Sequence, residues 1–211
     1  MDLHVLGKRC LMTILVRTET LTAMQAKMVV RWHSNPIDNL YSGFLGTACQ
    51  QHAFNFQLWH EEDRARSPTA SDADIAAVKR SIDRLNQQRN DWIERLDDEL
   101  SQVLAAANTR IEPIARQNSE TVGSVIDRLS ILALREYHYH EQTQRLHDDV
   151  AHRERLHDRL SLCRTQLLDL TDSLQALFDD LFAGRLRHKI YRQMKMYNDP
   201  KLNPYLYNQV M

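Results

Sequence analysis

Residues 51–66, QHAFNFQLWHEEDRAR, and residues 79–97, KRSIDRLNQQRNDWIERLD, carry two helical patterns joined across a short Ser/Pro break. Apolar residues in both segments recur every three or four positions, which is the period of an amphipathic α-helix. The apolar face of the first helix is formed by Leu45, Ala48, Cys49, Phe56 and Trp59. The apolar face of the second is formed by Ile75, Val78, Ile82, Leu85, Trp92, Ile93, Leu96 and Leu100.

Polar side chains interrupt both of these faces, notably His52 in the first helix and Asn86 and Arg89 in the second. Burying a polar group is costly unless the group is paired. The two helices are therefore predicted to pack antiparallel across their short loop, with the polar groups of one helix pairing with those of the other. The resulting polar cluster comprises Asn55, His60, Glu62, Asp63, Arg66, Asp83, Asn86, Arg89 and Asn90.

The composition favours an all-α fold. Five Gly and five Pro among 211 residues, with 43% hydrophobic and 26% charged residues, are typical of a helical globular protein rather than a β-sandwich or a disordered chain. We predict a single-domain bundle of about five long helices over residues 13–207. A short basic helix and an extended tail are predicted to follow the bundle.

The predicted helices have recognisable start and stop signals. The first four cover about 18–33, 41–66, 71–107 and 121–148, and Ser71 with Asp74 resembles a capping box at the start of the third. The fifth carries leucines in 3–4 alternation from Leu156 to Leu181, which favours antiparallel coiled-coil packing against the fourth. Gly184 is the predicted stop, and the basic helix is predicted within RLRHKIYRQMKMY, residues 185–197.

The amino-terminal apolar segment is predicted to be neither a signal sequence nor a membrane span. Its apolar run from Cys10 to Val16 ends at Arg17, which is too early for a signal sequence or a membrane span. Residues 1–12 are predicted to be a non-structural lead, and Met12 is an alternative start to Met1. Three widely spaced cysteines without metal-ligand spacing indicate a reducing cytoplasm.

Ten histidines raise the question of a metal site. Ferritin-like bundles build such sites from carboxylates and paired Glu-x-x-His motifs on two helices. Only Glu154 and His157 have that spacing, and His138 and His140 lie on nearly opposite sides of a helix. We therefore expect no metal and no cofactor, and histidines that are solvated or hydrogen bonded.

Two interpretations of the polar cluster stay open. Groups such as His60, Asp63 and Asp83, close to Arg66 and Arg89, are of the kind that carry acid–base chemistry. The same groups also build buried ion-pair networks that fix the register of helices, and this structural interpretation is the favoured one. The sequence contains no nucleophile with an adjacent base, no glycine-rich phosphate loop and no hydrolase elbow.

The basic carboxyl-terminal segment is a second candidate site. Cations interleaved with tyrosines can bind a nucleic acid, an anionic small molecule such as a sugar phosphate, or an anionic surface. Alternatively, Ile190, Met194 and the tyrosines dock the tail onto the bundle while the cations stay in water, and this is the favoured interpretation. A formal net charge of −1 argues against a specific nucleic-acid partner. The candidate anion-binding residues are Arg187, Lys189, Arg192 and Lys195.

Four stretches of the chain, in order, resemble one bacterial family of helical proteins. They are NFQLWHEEDRAR (55–66), KRSIDRLNQQRND (79–91), SETVGSVIDRLSILALREYH (119–138) and KIYRQMKMYNDPKLNP (189–204). The family is domain of unknown function 4254, and the resemblance covers roughly Thr13 to Tyr207. It implies no particular reaction, although family members often occur in surface-polysaccharide and glycosyltransferase contexts.

The resemblance carries over individual positions in each stretch, and it departs at Val122, where the family tends to have Pro before Gly123. The positions carried over are Asn55, Trp59, His60, Glu62, Asp63, Arg66, Lys79, Arg80, Asp83, Asn86, Gln87, Arg89, Asn90, Asp91, Asp127, Tyr137, His138, Tyr191, Arg192, Lys195, Tyr197, Asn198 and Asp199.

Two functional hypotheses follow. The leading one is a non-catalytic binding or accessory protein, for which the resemblance implies a link to bacterial cell-envelope glycan synthesis. The alternative is an enzyme that acts at the polar cluster on an anionic small molecule such as a sugar phosphate. A concave pocket holding Asp63, Asn86 and Arg89 would favour the enzyme. An interface with every polar group paired inside the protein would favour the accessory role, with a protein partner.

Overall fold

The computed structural model describes residues 17–145, 149–196 and 199–207, without the side chain of Tyr207. The predicted lead at residues 1–12, the choice between Met1 and Met12, and Cys10 all lie outside this part of the chain, as do Tyr197 and Asn198. The long helices are α1 (Thr18–Trp32), α2 (Gly43–Ala65), α3 (Asp72–Ala106), α4 (Val122–Gln144) and α5 (Val150–Ala183). The short elements are β1 (Arg116–Gln117), β2 (Leu186–Arg187) and α6 (Pro204–Tyr207). The predicted all-α bundle of five long helices is confirmed.

Predicted capping signals act at both ends of helices. The Ser71 side chain accepts the Asp74 backbone N–H, and the Asp74 carboxylate accepts the Ser71 backbone N–H, which completes the capping box of α3. Gly184 ends α5 in the left-handed conformation, with φ of 77°. A Cβ at Gly184 would lie 2.0 Å from the carbonyl oxygen of Arg110, so both the backbone angle and the space require glycine.

The helices α2 and α3 pack antiparallel, as predicted. The Thr47 hydroxyl of α2 donates to the Glu99 carboxylate of α3 over 2.7 Å. Two turns further along α2, the ring of Phe54 lies 6.4 Å from the ring of Trp92, measured between centroids. Because the partner on α3 moves backward as α2 advances, the two helices run in opposite directions.

The helix α4 lies at the centre of the bundle, where it packs against each of the other four long helices. Its side chains Val122, Ile126, Leu129 and Leu134 are almost completely buried. Apolar residues occupy more than one of its faces, which suits a helix with neighbours on several sides. Residues on α4 can therefore meet side chains from several directions at once.

The basic helix predicted for residues 185–197 is wrong. After Gly184 the chain becomes extended, and β2 pairs in parallel with β1, placing Leu186 beside Arg116. The Arg187 guanidinium donates to the carbonyl oxygens of Pro113 and Ala115. These bonds to the α3–α4 connection stabilise an extended backbone that periodicity alone could not reveal. The helix predicted to reach residue 148 also ends earlier, at Gln144.

No helix among the described residues is long and apolar enough to cross a membrane. The two described cysteines, Cys49 and Cys163, are buried free thiols. Burial raises the pKa of the Cys49 thiol to about 12, so this side chain behaves as a small apolar residue of the core.

Candidate functional site

Asp127, in the middle of α4, is the centre of a buried polar network. Its side chain accepts hydrogen bonds from two other helices although the residue is only 5% exposed. Arg89 of α3 donates from Nε to Oδ1 over 2.7 Å and from Nη2 to Oδ2. From α2, the amide nitrogens of Gln51 and Asn55 donate to Oδ1 over 2.6 and 2.9 Å. The carboxylate is thus paired with a cation and saturated with donors, as a buried charge requires.

A chain of hydrogen bonds continues from this network toward α1. The Asn55 amide donates to the Ser130 hydroxyl over 2.9 Å, and the Ser130 oxygen lies 2.6 Å from Nδ1 of His52. Nε2 of His52 lies 3.1 Å from the Gln25 backbone oxygen, which can only accept. Nε2 therefore carries a proton, and in the neutral ring Nδ1 accepts from the Ser130 hydroxyl.

Burial lowers the pKa of His52 to about 3, with the hydrogen bond to the Gln25 carbonyl opposing the shift. The residue is completely buried and stays neutral through the physiological range. We refer to Gln51, His52, Asn55, Arg89, Asp127 and Ser130 as the buried network.

The predicted partners of the polar groups were wrong in one respect. Arg89 and Asn55 do project inward from α3 and α2, but they meet on Asp127 of α4 instead of pairing with each other's helix. Asp127 came into the sequence analysis only through the family resemblance. A polar residue that interrupts an apolar face shows that a partner is needed, whereas it does not show which helix supplies the partner.

A cavity of about 360 Å³ opens beside the buried network, between α2, α3 and α4. Its polar lining combines two carboxylates, two guanidinium groups and two amides around one indole ring. We call it the α2–α3–α4 pocket. It is lined by Asn55, Leu58, Trp59, Glu62, Asp63, Arg66, Asn86, Arg89, Ile131 and Leu134.

The two cations of this pocket already have counter-charges. Arg66 pairs with Glu62 one turn earlier on α2 over 2.7 Å, and Arg89 pairs with Asp127. The hydrogen bond to Asp127 raises the pKa of the Arg89 guanidinium, so this charge is permanent. The Asp63 carboxylate has a weaker neighbour, Nδ1 of His60 at 3.9 Å. The pocket is therefore polar without an excess of positive charge.

A larger depression of about 540 Å³ lies between α4 and α5. Arg128, Arg135 and Asp169 are among its lining residues, and Arg128 is paired with Glu120 over 2.8 Å. We take the smaller cavity as the candidate site because it adjoins the buried network and holds more converging polar groups.

Three members of the predicted polar cluster lie outside the pocket. Asp83 is exposed and pairs with Lys79 over 2.6 Å, a surface contact within α3. Asn90 is half-buried and does not line the cavity. His60 turns away to a separate group of rings.

That group, the histidine cluster, brings together His33, His60 and His138 from the end of α1, from α2 and from α4. One ring nitrogen of each lies within 4.8 Å of one ring nitrogen of each of the others. Burial is the main cause that lowers the pKa of His60 and of His138, and the nearby His33 lowers both further. The rings of Tyr137 and Trp59 stack on His33 and His138, at centroid distances of 4.2 and 4.8 Å.

Sequence reasoning missed the histidine cluster, because it searched for ligand pairs along single helices. His60 and His138 were carried over by the resemblance, but His33 follows α1 in a turn-rich segment and was not singled out. The three residues are separated by 27 and 78 positions in the sequence, so only the packing of three helices reveals them as neighbours.

The carboxyl-terminal cations do not form one common site. Arg192 pairs with Glu94 and Asp98 of α3, over 2.9 and 2.7 Å. The ammonium of Lys189 lies 5.1 Å from the centre of its neighbouring ring, Tyr191. Lys195, the fourth candidate, is half-buried. Arg187 is occupied by backbone carbonyls, as described above.

The favoured interpretation, in which Ile190, Met194 and the tyrosines dock the tail onto the bundle, is wrong for Met194 and Tyr191. Met194 is 91% exposed and Tyr191 is 53% exposed, so neither is packed on the bundle, while Ile190 is half-buried. Ion pairs and backbone hydrogen bonds hold this segment instead.

The fold and the site define an all-helical bundle with a buried arginine–aspartate network beside a polar pocket. The chain belongs to the family described as protein of unknown function (DUF4254), whose profile matches residues 46–190. This confirms the resemblance, and the matched range includes the buried network, the α2–α3–α4 pocket and two of the three clustered histidines. Neither the curated proteins nor the solved structures contain a match to the chain.

Proposed function

We propose that this chain is a binding or accessory protein that holds a small, neutral, hydroxyl-rich molecule, such as a sugar unit, in the α2–α3–α4 pocket. The observation that carries the proposal is the pocket itself: a cavity of about 360 Å³ with polar side chains from three helices. Sugars are recognised by such a mixture of hydrogen-bonding groups beside an aromatic surface. A role in bacterial cell-envelope glycan synthesis is consistent with this ligand, and it rests on the family resemblance.

The electrostatics of the pocket favour a neutral ligand over an anionic one. Arg66 and Arg89 are neutralised by Glu62 and Asp127, which leaves the Asp63 carboxylate as the unbalanced charge. A phosphate in this cavity would meet that carboxylate and would compete with existing ion pairs. A hydroxyl group, in contrast, can donate to Asp63 without displacing either arginine.

The pocket keeps hydrogen-bond donors and acceptors on both α2 and α3 that a ligand could use. The Arg89 guanidinium uses Nε and Nη2 for Asp127, which leaves Nη1 as a donor. Asn86 supplies a donor and an acceptor from the same helix, and Asp63 supplies acceptors from α2. Trp59 adds the aromatic surface, fixed by its stacking on His138.

The test is a thermal-shift and calorimetry panel of neutral monosaccharides and their phosphate esters, each sugar matched to its own phosphate. We expect stabilisation by at least one neutral sugar, with no gain from the phosphate. Asn86→Ala should abolish the effect, while Asn90→Ala, one turn further along α3 and outside the cavity, should retain it. Stabilisation by phosphate esters alone, or equal binding by the Asn86 variant, would contradict the proposal.

An enzyme acting on an anionic molecule such as a sugar phosphate is the second candidate. The observation in its favour is the predicted sign of an enzyme, a concave pocket that holds Asp63, Asn86 and Arg89 together. We place it second because both arginines of the pocket are already paired with carboxylates. In this case Asp63 would serve as a proton acceptor. Incubation with the phosphate panel, followed by mass spectrometry, should then show product formation that Asp63→Asn removes while ligand binding persists. Asp63 has an exposed side chain, so this variant is expected to fold.

A further inference from the structure

We propose that the histidine cluster is a metal-binding site, in which Nε2 atoms of His33, His60 and His138 hold a late first-row divalent cation, with Zn²⁺ as the expected ion. This goes against the expectation from the sequence, which considered ligand pairs on single helices. The proposal does not depend on the ligand proposed for the α2–α3–α4 pocket.

The hydrogen bonds of two of these rings determine where their lone pairs are. Nδ1 of His33 lies 2.7 Å from the Val29 carbonyl oxygen, and Nδ1 of His138 lies 3.4 Å from the Glu141 carboxylate. Both partners can only accept, so each Nδ1 carries a proton, and in the neutral ring each Nε2 carries a lone pair. A neutral imidazole with this tautomer is the usual protein ligand for zinc.

Both of these Nε2 atoms are buried and have no hydrogen-bond partner within the described chain. A buried acceptor without a partner is uncommon and unfavourable. Here two such acceptors occur together, on neighbouring rings from different helices. A cation between them would satisfy both, which is an independent indication of a ligand.

The arrangement also has the outer partners that a metal-binding histidine normally requires. Such histidines donate their second N–H to a carbonyl or carboxylate, which orients the ring. Val29 serves His33 and Glu141 serves His138 in this way. Asp63 lies 3.9 Å from Nδ1 of His60, close enough to take the same role after a small rotation.

The distances fit a three-histidine site. Zinc–nitrogen bonds of about 2.0–2.1 Å in a tetrahedron place the nitrogens roughly 3.4 Å apart. The ring nitrogens of the cluster lie within 4.8 Å of one another, so rotations of the side chains can close the remaining gap. The described residues supply three ligands, which leaves the fourth position to water or to an exogenous group.

The composition of the site determines which ions it prefers. Imidazole nitrogen suits zinc, cobalt, nickel and copper, whereas magnesium and calcium prefer oxygen. We therefore expect binding of Zn²⁺ and Co²⁺ and no competition from millimolar Mg²⁺. Protonated imidazoles would repel one another and the cation, whereas neutral imidazoles can approach one cation together. Zinc binding should therefore weaken at low pH.

The experiment uses the full chain, with any affinity tag removed, after dialysis against a chelator. Zinc calorimetry should give one ion per chain, and Co²⁺ should produce the strong visible bands of a four-coordinate site. Histidine side-chain ¹⁵N spectra of the wild type should show the Nε2 signals of His33 and His138 moving on addition of Zn²⁺. This spectrum needs no variant, so it tests the proposal even if substitutions disturb folding.

Variants then locate the ion. Loss of an outer partner typically costs about 10–100-fold in metal affinity. His60→Gln and His138→Gln, which remove ligands, should therefore weaken zinc binding by on the order of a hundredfold or more, and Glu141→Gln, which removes an outer partner at the surface, by about tenfold. His140→Gln is the matched control, because His140 is an exposed histidine on α4 and should not affect binding. Absence of zinc uptake by the wild type, or equal uptake by the wild type and His138→Gln, would overturn the proposal.

Discussion

Arg89 of α3 binds Asp127 of α4 through two of its guanidinium nitrogens, while amides from α2 donate to the same carboxylate. The Asp127 carboxylate thereby links three helices at the edge of the candidate pocket. A buried ion pair is weak evidence for net stability, since desolvation offsets the attraction. Removal of one partner is strongly destabilising, because the remaining charge is left buried without compensation.

Replacing Arg89 with Leu should therefore destabilise the fold strongly. Arg89→Leu keeps an apolar stem but strands the buried Asp127 carboxylate, and we expect a loss of about 2–5 kcal/mol in the free energy of unfolding. Urea denaturation followed by circular dichroism measures this loss. Arg84→Leu is the control, because Arg84 is exposed on the same helix and should change stability by no more than about 0.5 kcal/mol.

A loss as small as that of the control would show that Asp127 does not depend on Arg89 as its buried counter-charge. The double variant Arg89→Leu with Asp127→Asn adds a further check. Since it removes both charges, it should recover part of the stability lost by Arg89→Leu alone.

His52 should make the stability of the protein depend on pH. In the unfolded chain this ring titrates near its ordinary pKa of 6.5, whereas burial lowers the folded pKa to about 3. Between these values the unfolded state binds the extra proton, so stability present above pH 6.5 is lost as the pH falls. The contribution has a slope of at most about 1.4 kcal/mol per pH unit.

Denaturation of wild type and His52→Gln at pH 7, 6 and 5 tests this linkage. The variant is less stable at pH 7 because it disturbs the bonds to Ser130 and Gln25, but its disadvantage should shrink toward pH 5. The exposed His140→Gln should follow the wild-type profile. A constant difference between wild type and His52→Gln at all three pH values would show that His52 is accessible to protons in the folded state.

Much of the fold could be predicted from the sequence because helical periodicity and capping are local properties. The stripe from Val78 to Leu100 and the box of Ser71 with Asp74 belong to one helix and its cap, and the structure has both, although Ile75 at the first turn is 43% exposed. The helix stop at Gly184 is equally local, because glycine adopts the left-handed conformation without steric cost. Local patterns, however, say nothing about which helix supplies a contact.

The candidate site depends on such contacts, and the sequence could give it only in part. Inward-facing Arg89 and Asn55 indicated that a polar partner exists. No sequence pattern around Asp127 on α4, however, identifies it as that partner. The histidine cluster is less visible still, because its members come from three elements. The extended β2 was missed for the same reason: the carbonyls that bind Arg187 belong to a distant connection.

Gly123 should tolerate no side chain, because α3 and α4 approach closely at this position. A Cβ would lie 2.5 Å from the Ile93 carbonyl oxygen and 3.1 Å from the Asp97 carboxylate. Asp97, itself buried, accepts the Gly123 backbone N–H over 2.7 Å. Gly123→Ala is expected to cost about 1–3 kcal/mol through overpacking, although alanine is favoured by about 1 kcal/mol within a helix. Equal or higher stability in chemical denaturation would mean that the two helices can separate freely.

The carboxyl-terminal segment should detach when Arg192 loses its charge. Glu94 binds the Arg192 guanidinium and also accepts the Gln193 backbone N–H over 2.9 Å, while Asp98 binds the second nitrogen of the same fork. Exposed ion pairs contribute little to global stability, so the melting temperature of Arg192→Gln should stay close to that of the wild type. Their local effect is different, because little apolar contact holds residues 190–196 in place.

Hydrogen–deuterium exchange of wild type, Arg192→Gln and the control Lys195→Gln separates these two effects. We expect faster amide exchange over residues 188–196 in the Arg192 variant alone, with unchanged exchange in α3. Raised salt should speed exchange in the same segment of the wild type, since it screens exposed pairs. The occupied Arg192 also predicts weak affinity for added phosphate. Tight phosphate binding that Arg192→Gln abolishes, without faster exchange, would show that the segment is an anion-binding surface and not a strap held to α3.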